Sequence, residues 1–307
     1  MPTRGPRIVV LGDLMLDVVL APDMPLRLGT DVRGRVALVQ GGSAATTARW
    51  AARLGARATL ICAVGRDAAG RALVTALRGD GVTVRAARVT GARTGRIGVL
   101  LAPDGDRSFI ADRGAADQLR TGDLRPAWFA KADAFHLPAY SLLGPLAETG
   151  RRAIDLARSA GALVSIDLAS LGPLLDSGVR DARALIGEAR PDVLFATAAE
   201  ADAFVGRDAA ALLRFAAAAV VKRGGKGATV VALEGEDVLR FEVATAHLSV
   251  RDTTGAGDAF DAGFLVAWLS ARAEGRRPPA ALQRAALAGH RAAARQLTAA
   301  RPELSLG

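Results

Sequence analysis

One cysteine, Cys62, is all the thiol chemistry the 307 residues offer. No disulfide can therefore form within the chain, and no cysteine-based metal cluster can be assembled. Its setting, Leu60-Ile61-Cys62-Ala63-Val64, reads as a buried small hydrophobe in a reducing compartment. Histidine is almost as scarce: His136 and His247 lack carboxylate or cysteine neighbours at ligand spacing and carry no assigned chemistry. Only one Tyr and three Trp are present to stack on bases. Lysine is confined to Lys131, Lys222 and Lys226, so the net charge of +9 is carried almost wholly by arginine. The arginines are scattered, in short pairs such as Arg151-Arg152 and Arg276-Arg277. A compositional preference for arginine together with an anionic nucleotide ligand accounts for that charge better than nucleic-acid binding. No apolar stretch reaches the length of a membrane span, so a cytoplasmic protein without a membrane partner is expected.

Half of the residues are hydrophobic, which allows a sizeable core. Arg7-Ile8-Val9-Val10-Leu11 followed by Gly12-Asp13 reads as a buried strand ending in a turn, and an alanine-rich helix from Ser43 to Leu54 starts at a serine cap. Apolar strands and helices then alternate: 59–64, 69–77, 134–137, 142–160, 163–167, 193–195, 218–222 and 229–233. That alternation implies an α/β fold, with a mostly parallel sheet covered by helices on both faces. Two stretches break the rhythm, Val18 to Val39 and Arg96 to Ile110 with its Pro103-Asp104-Gly105-Asp106 turn. Together they predict a small antiparallel sheet beside the main one.

The most informative run is Asp252-Thr253-Thr254-Gly255-Ala256-Gly257-Asp258-Ala259-Phe260. A strand-like segment, His247-Leu248-Ser249-Val250, precedes it, and a helix with Phe260, Phe264, Leu265 and Trp268 on one side follows. Strand, glycine turn and helix leave the amides of Gly255, Ala256 and Gly257 unpaired at a positive helix end, which suits a phosphate. Asp258 falls in the first turn beside that anion, where a carboxylate serves to accept the proton of an attacking hydroxyl. The run thus reads as phosphoryl transfer to an alcohol; the plainer alternative is a glycine-rich turn whose aspartates cap a helix. Neither common nucleotide motif fits. G-x-G-x-x-G fails at Phe260, and for the Walker A pattern Gly225-Lys226 is followed by Gly227, with Val220 where the first glycine belongs.

D-T-x-G-A-G-D resembles the C-terminal signature of the ribokinase/PfkB family of carbohydrate and nucleoside kinases. Gly41-Gly42-Ser43-Ala44-Ala45-Thr46-Thr47-Ala48, Leu54-Gly55-Ala56 and Val64-Gly65-Arg66-Asp67-Ala68-Ala69-Gly70 are similar to its N-terminal signature in order and spacing. The resemblance runs from Ile8 to about Thr298. It implies one ribokinase-like kinase domain over 1–307, with β-lid inserts at about 14–40 and 92–114 over the sugar site.

The resemblance also implies roles. Asp258 would be the base, for which an ordinary aspartate pKa near 4 suffices, and Gly255, Ala256 and Gly257 the anion hole. Asp17, five residues after Gly12, would contact the sugar together with Gly41, Gly42 and Thr46, while Asp13 is read as a local turn former. The nucleotide would lie against Lys222, Gly225, Gly227, Thr253 and His290. Glu200 would hold the hydration shell of Mg2+, and Asp252 with the Thr254 carbonyl is where relatives bind a monovalent cation such as K+. ATP and a small-molecule substrate are the implied ligands, and a homodimer through the lid is left open. The chain departs from the family pattern at Thr46 and Thr197, where asparagine is usual, and at Met15, where ribokinase has asparagine. Those departures make ribose a poor substrate guess and leave a nucleoside or a keto or deoxy sugar open. A binding-only sensor on the same fold is a further alternative. A dinucleotide-dependent oxidoreductase is disfavoured by the missing glycine fingerprint.

Overall fold

A computed structural model describes residues 5–306 except 103–106, 171, 173–174, 177, 247, 249 and 251. The Pro103-Asp104-Gly105-Asp106 turn, His247 and Ser249 thus lie outside the described residues. Of the strand expected at 247–250, the described residues Leu248 and Val250 belong to no strand.

Apolar residues on both sides of β1 (Arg7–Leu11) place it at the centre of the molecule. Ile8 and Val10 join one core and Val9 and Leu11 the other, as a strand buried on both faces requires. β1 pairs in parallel with β4 (Arg57–Gly65) on one side and β8 (Ala134–Pro138) on the other. Beyond β4 lies β5 (Thr83–Val89). Beyond β8 come β9 (Leu163–Asp167), β10 (Val193–Thr197) and β11 (Ala218–Lys222), all parallel. β12 (Ala228–Glu234) and β13 (Asp237–Val243) complete the nine-stranded sheet as antiparallel additions. One face carries α1 (Ser43–Arg53), α2 (Ala68–Gly79) and the C-terminal pair α6 (Ala256–Ala273) and α7 (Pro278–Thr298). The other carries α3 (Ala147–Ser159), α4 (Val179–Ala189) and α5 (Ala198–Val205). Among the described residues no helix is long and apolar enough to cross a membrane.

The smaller sheet orders β3-β2-β6-β7 from β2 (Met15–Pro22), β3 (Gly34–Gly41), β6 (Arg96–Leu101) and β7 (Arg107–Asp112). Its strands fall where the two inserts were expected, but it is not purely antiparallel. β2 and β6 pair in parallel, because the chain leaves the lid, builds α1, β4, α2 and β5 in the main sheet, and re-enters from the same side. Two further expectations shift. α3 begins at Ala147 rather than 142, since Pro145 stands in a short 3₁₀ turn (Gly144–Leu146) that ends before the helix proper. α1 has Gly42, not Ser43, at its cap position, and no side chain caps it.

Candidate active site

The chain runs from β1 to its neighbours in opposite directions, toward β4 on one side and toward β8 on the other, and a cleft opens beyond the carboxyl ends of β1 and β8. There a cavity of about 580 Å³ is bounded by the lid on one side and the 252–260 run on the other. Asp13, just past β1, is 3% exposed, and its Oδ1 accepts the Tyr140 hydroxyl at 2.8 Å and, more weakly, the Ala44 amide at 3.4 Å. Arg113 Nη1 lies 3.8 Å from the other oxygen, and Arg113 Nε donates to Asp117 at 2.5 Å. Asp13 is therefore a wall of the cavity rather than a turn former. Asp17, on the inner face of β2, lines it too. Burial pushes its carboxyl up to about 6, against the opposing pull of Arg301, which donates Nη1 to Asp17 Oδ2 at 3.1 Å. Gly41 makes room for it: a Cβ there would sit 1.7 Å from Asp17 Oδ1. Gly42 also lines the cavity.

Thr46 spends its hydroxyl proton within its own helix. Its Oγ1 donates to the Gly42 carbonyl of its own helix at 2.9 Å, and its methyl faces Gly255. A β-branched side chain one turn into a helix satisfies itself on the preceding carbonyl. Thr46 thus lines the cavity with its hydroxyl proton already committed, leaving that oxygen to act only as an acceptor.

The 252–260 run bends as its sequence requires. Gly255 sits at φ 78° ahead of α6, and a Cβ there would press on Gln296 and Thr46. The Gly255 and Gly257 amides have no intramolecular acceptor among the described residues, whereas Ala256 makes a long bond to the Thr253 carbonyl at 3.3 Å. Asp258 follows in the first turn, and Ser43 donates its hydroxyl to Asp258 Oδ1 at 2.5 Å, which is why that serine caps nothing. Burial pushes the Asp258 carboxyl up to about 7 despite the Ser43 bond; Asp167 adds to the rise and Lys222 opposes it. Its pKa is thus well above the ordinary value taken as sufficient.

Beneath the amides lies a buried ion cluster. Lys222 Nζ donates to Asp167 Oδ2 at 2.9 Å and to both oxygens of Asp261 at 3.0 and 3.1 Å. Burial alone would lower the Lys222 pKa, but the two carboxylates outweigh it and hold the ammonium charged. A Cβ on Gly257 would lie 3.4 Å from that nitrogen. Lys222 therefore approaches the turn from inside the protein. Its donors are engaged by the two carboxylates, and its side chain also borders a second, smaller cavity across the turn.

A second cavity, about 190 Å³, lies across the same turn. Thr253, Ala256 and Gly257 line it, while Thr254, Gly255 and Asp258 line the larger one, so a single turn separates the two spaces. Gly225 and Gly227 form one wall of the smaller cavity and Phe260 and His290 another. His290 meets Phe260 edge-on at 5.1 Å and bonds through Nε2 to the Val243 carbonyl at 3.1 Å. Glu200 is 8% exposed rather than solvated. Its Oε2 accepts the Thr197 amide at 2.7 Å and the Thr197 hydroxyl accepts the Glu200 amide, a capping box that explains threonine at 197. Its second oxygen makes no hydrogen bond among the described residues, which suits a hard cation.

The expected monovalent-cation ligands, by contrast, are filled from within. Asp252 accepts the Thr254 amide on Oδ1 at 2.9 Å and Arg301 Nη2 on Oδ2 at 2.8 Å. The Thr254 carbonyl accepts Gln296 Nε2 at 2.9 Å, and Gln296 is held in turn by Trp50. A guanidinium beside Asp252 repels a second cation, so the donor set does not fit K+.

The family model described as pfkB family carbohydrate kinase matches residues 6–304. The chain belongs to that family. A curated relative is Fructokinase-1 of Oryza sativa subsp. japonica, 34% identical over 173 residues, covering 54% of this chain and 52% of the relative. The chain spans about half the length of that fructokinase. Among solved structures, a ribokinase II-type protein from E. coli in complex with ATP and Mg2+ superposes with a TM-score of 0.78 at 22% identity, covering 97% of this chain and 94% of the other. The adenosine kinase from Sinorhizobium meliloti gives 0.78 at 24% identity, covering 99% and 98%. A fold shared equally with a ribokinase-type protein and an adenosine kinase does not choose a substrate.

In this PfkB chain the cleft brings together Gly41, Gly42, Thr46, Thr254, Gly255 and Asp258 from the two sequence signatures, with Asp17 from beyond the first strand. Sequence reasoning passed over Ser43, Tyr140, Arg113, Asp261, Gln296 and Arg301. Ser43 had a signal, since it directly follows the glycine pair. Asp261 lies one turn beyond Asp258 in α6, and Tyr140, Arg113, Gln296 and Arg301 reach the site only through tertiary packing.

Proposed function

We propose that the protein is an ATP-dependent kinase that phosphorylates a hydroxyl of a neutral sugar. The observation carrying this reading is the turn Thr254–Gly257, which separates two cavities and presents two free amides with Asp258 on the side of the larger one. The smaller, apolar cavity suits adenine between Gly225, Gly227, Phe260 and His290, with its phosphates directed at the turn. The Gly255 and Gly257 amides, backed by the Lys222 ammonium, would stabilise charge on the phosphoryl group. With Oδ1 held by Ser43, Asp258 has Oδ2 to accept the proton of the attacking hydroxyl as its oxygen bonds to the γ-phosphorus. Glu200 would hold Mg2+ through water, and the ion would neutralise phosphate charge when bound.

Charge pairing supports a neutral acceptor. Each guanidinium lining the larger cavity already has a carboxylate: Arg301 faces Asp17 and Asp252, Arg113 faces Asp117, and Arg49 lies 2.7 Å from Asp80. Among the described residues a sugar acid or sugar phosphate would find no uncommitted cation there. Asp13, Asp17 and Tyr140 offer groups for hydroxyls, and the fructokinase relative favours a ketose. The apolar wall of Ile97, Phe109 and Leu143 supports a nucleoside as the second reading. The outer lid face exposes Leu20 (39%), Val36 (63%) and Ile110 (80%), which supports a homodimer through the lid.

A coupled ATP-turnover assay over fructose, other neutral sugars, sugar acids and nucleosides tests the proposal. Turnover confined to neutral sugars is the expected result. Preference for a nucleoside or a sugar acid overturns the acceptor assignment, and ligand binding with no turnover of any compound leaves the sensor reading in its place.

A further inference from the structure

One cation of the site comes from neither signature. Arg301 follows α7, in a segment that returns to the lid. Glu303 forms an antiparallel bridge with Val39, the Leu304 amide donates to the Leu38 carbonyl at 2.8 Å, and Arg35 lies 3.7 Å from Glu303. The segment therefore runs along β3, the outer strand of the lid sheet. From that position the Arg301 side chain, 14% exposed, reaches into the cleft and donates separate nitrogens to two carboxylates. Asp17 belongs to the lid, and Asp252 opens the turn that leads into the Gly255 and Gly257 amides. A planar guanidinium has fixed, divergent donors and can bridge two acceptors in one geometry, with a directionality that a rotatable ammonium or a free ion lacks. The same turn is gripped a second time by the Gln296 bond from α7 to the Thr254 carbonyl.

We infer that Arg301 is a positioning residue that ties the sugar-facing lid to the phosphate-binding turn and supplies, as a fixed part of the chain, the positive charge that Asp252 would otherwise need from a monovalent cation. This rests on the reading of the Gly255–Gly257 amides as the phosphoryl cradle. Two consequences follow. Arg301 is one of two side chains joining lid and turn, the other being Arg107 of β7, which donates Nη1 to the Thr254 hydroxyl at 3.2 Å, and only Arg301 holds both Asp17 and Asp252, so its loss loosens the cradle as well as the sugar site. The native protein is also indifferent to K+, whereas a variant without the guanidinium exposes an uncompensated Asp252 and becomes responsive to K+.

The test compares wild type, Arg301→Met and Arg301→Lys at constant ionic strength, with KCl exchanged for choline chloride. Two readouts are used: steady-state kinetics with ATP and the best sugar, and thermal melting with a non-hydrolysable ATP analogue. Wild type is expected to be flat in K+ by both. Arg301→Met is expected to lose about 10²-fold in kcat, as displaced reacting groups do, and to recover part of it with K+ or guanidinium ion. Its melting temperature should rise by about 1–2 °C with K+, an amount matching roughly 1 kcal/mol at the unfolding entropy of a chain of this length. Arg301→Lys should fall between the two in kcat. A K+ requirement in wild type overturns the inference. So does an Arg301→Met variant with kcat within twofold of wild type, or one that is less stable yet unmoved by K+ and guanidinium. If no acceptor is turned over at all, the kinase reading fails by itself, and the melting comparison still decides the role of Arg301.

Discussion

Ser43→Ala should move the acid limb of the pH–rate profile. Asp258 can accept a proton only when ionised, and its pKa of about 7 sets the lower limb of kcat/KM, which reports ionisations of the free enzyme. The Ser43 hydroxyl donates to Asp258 Oδ1 at 2.5 Å and favours the ionised form. Hydrogen bonds to charged groups contribute about 1.5–3 kcal/mol net. Ser43 is only partly buried, so water takes over some of that interaction and the lower end applies. At about 1.4 kcal/mol per pKa unit, removing the hydroxyl raises the Asp258 pKa by about one unit. At pH 7 the ionised fraction then falls from about one half to about one tenth, and kcat/KM drops about fivefold. By pH 9 the two proteins should converge. The assay is kcat/KM for the sugar from pH 5.5 to 9.5 at saturating ATP. A limb that stays in place refutes the reasoning, as does a loss of equal size at every pH, because either result detaches Ser43 from the ionisation of Asp258.

Asp258→Asn should keep the fold and ATP binding while turnover falls about 10²–10⁴-fold, the range of a lost general base. The same variant has a stability signature. A carboxyl whose folded pKa is raised binds its proton more tightly in the folded state, so its contribution is best below the unfolded value near 4 and is lost as pH rises to about 7. The neutral amide escapes that loss, so the melting temperature of Asp258→Asn relative to wild type should climb between pH 5 and pH 8. Lys222→Met leaves Asp167 and Asp261 facing each other without a cation in the interior. Chemical denaturation should show a loss of about 3–5 kcal/mol, and a loss under 1 kcal/mol would mean that the carboxylates share a proton and need no lysine.

The parallel sheet was legible because strands buried on both faces read as unbroken apolar runs, as in Ile8-Val9-Val10-Leu11 and Ala218-Ala219-Val220-Val221. The edge strands β5 and β13 were not, since alternation with arginine and glutamate, as in Asp237–Val243, resembles any exposed segment. In the site, Gly255 and Asp258 were readable because the helix-start geometry is local and demands those residue types in that order. Asp13 was misread because a turn aspartate and a cavity aspartate look alike until Tyr140, far along the chain, closes on it. The cation role of Asp252 came from the resemblance alone, and no local signal points to Arg301, which reaches that carboxylate only once the C-terminal segment has folded back.

The parallel seam between β2 and β6 has a kinetic consequence. Its two halves are separated by residues 23–95, which hold β3, α1, β4, α2 and β5, so pairing them closes a long loop, an entropic cost that favours late formation. Contacts that form last contribute little to the folding barrier and mostly slow the reverse reaction. Asp17 and Ile97, paired across that seam, both face the larger cavity. An occupant bridging the two strands would therefore act as a brake on unfolding, retarding the loss of the native state without hastening its arrival.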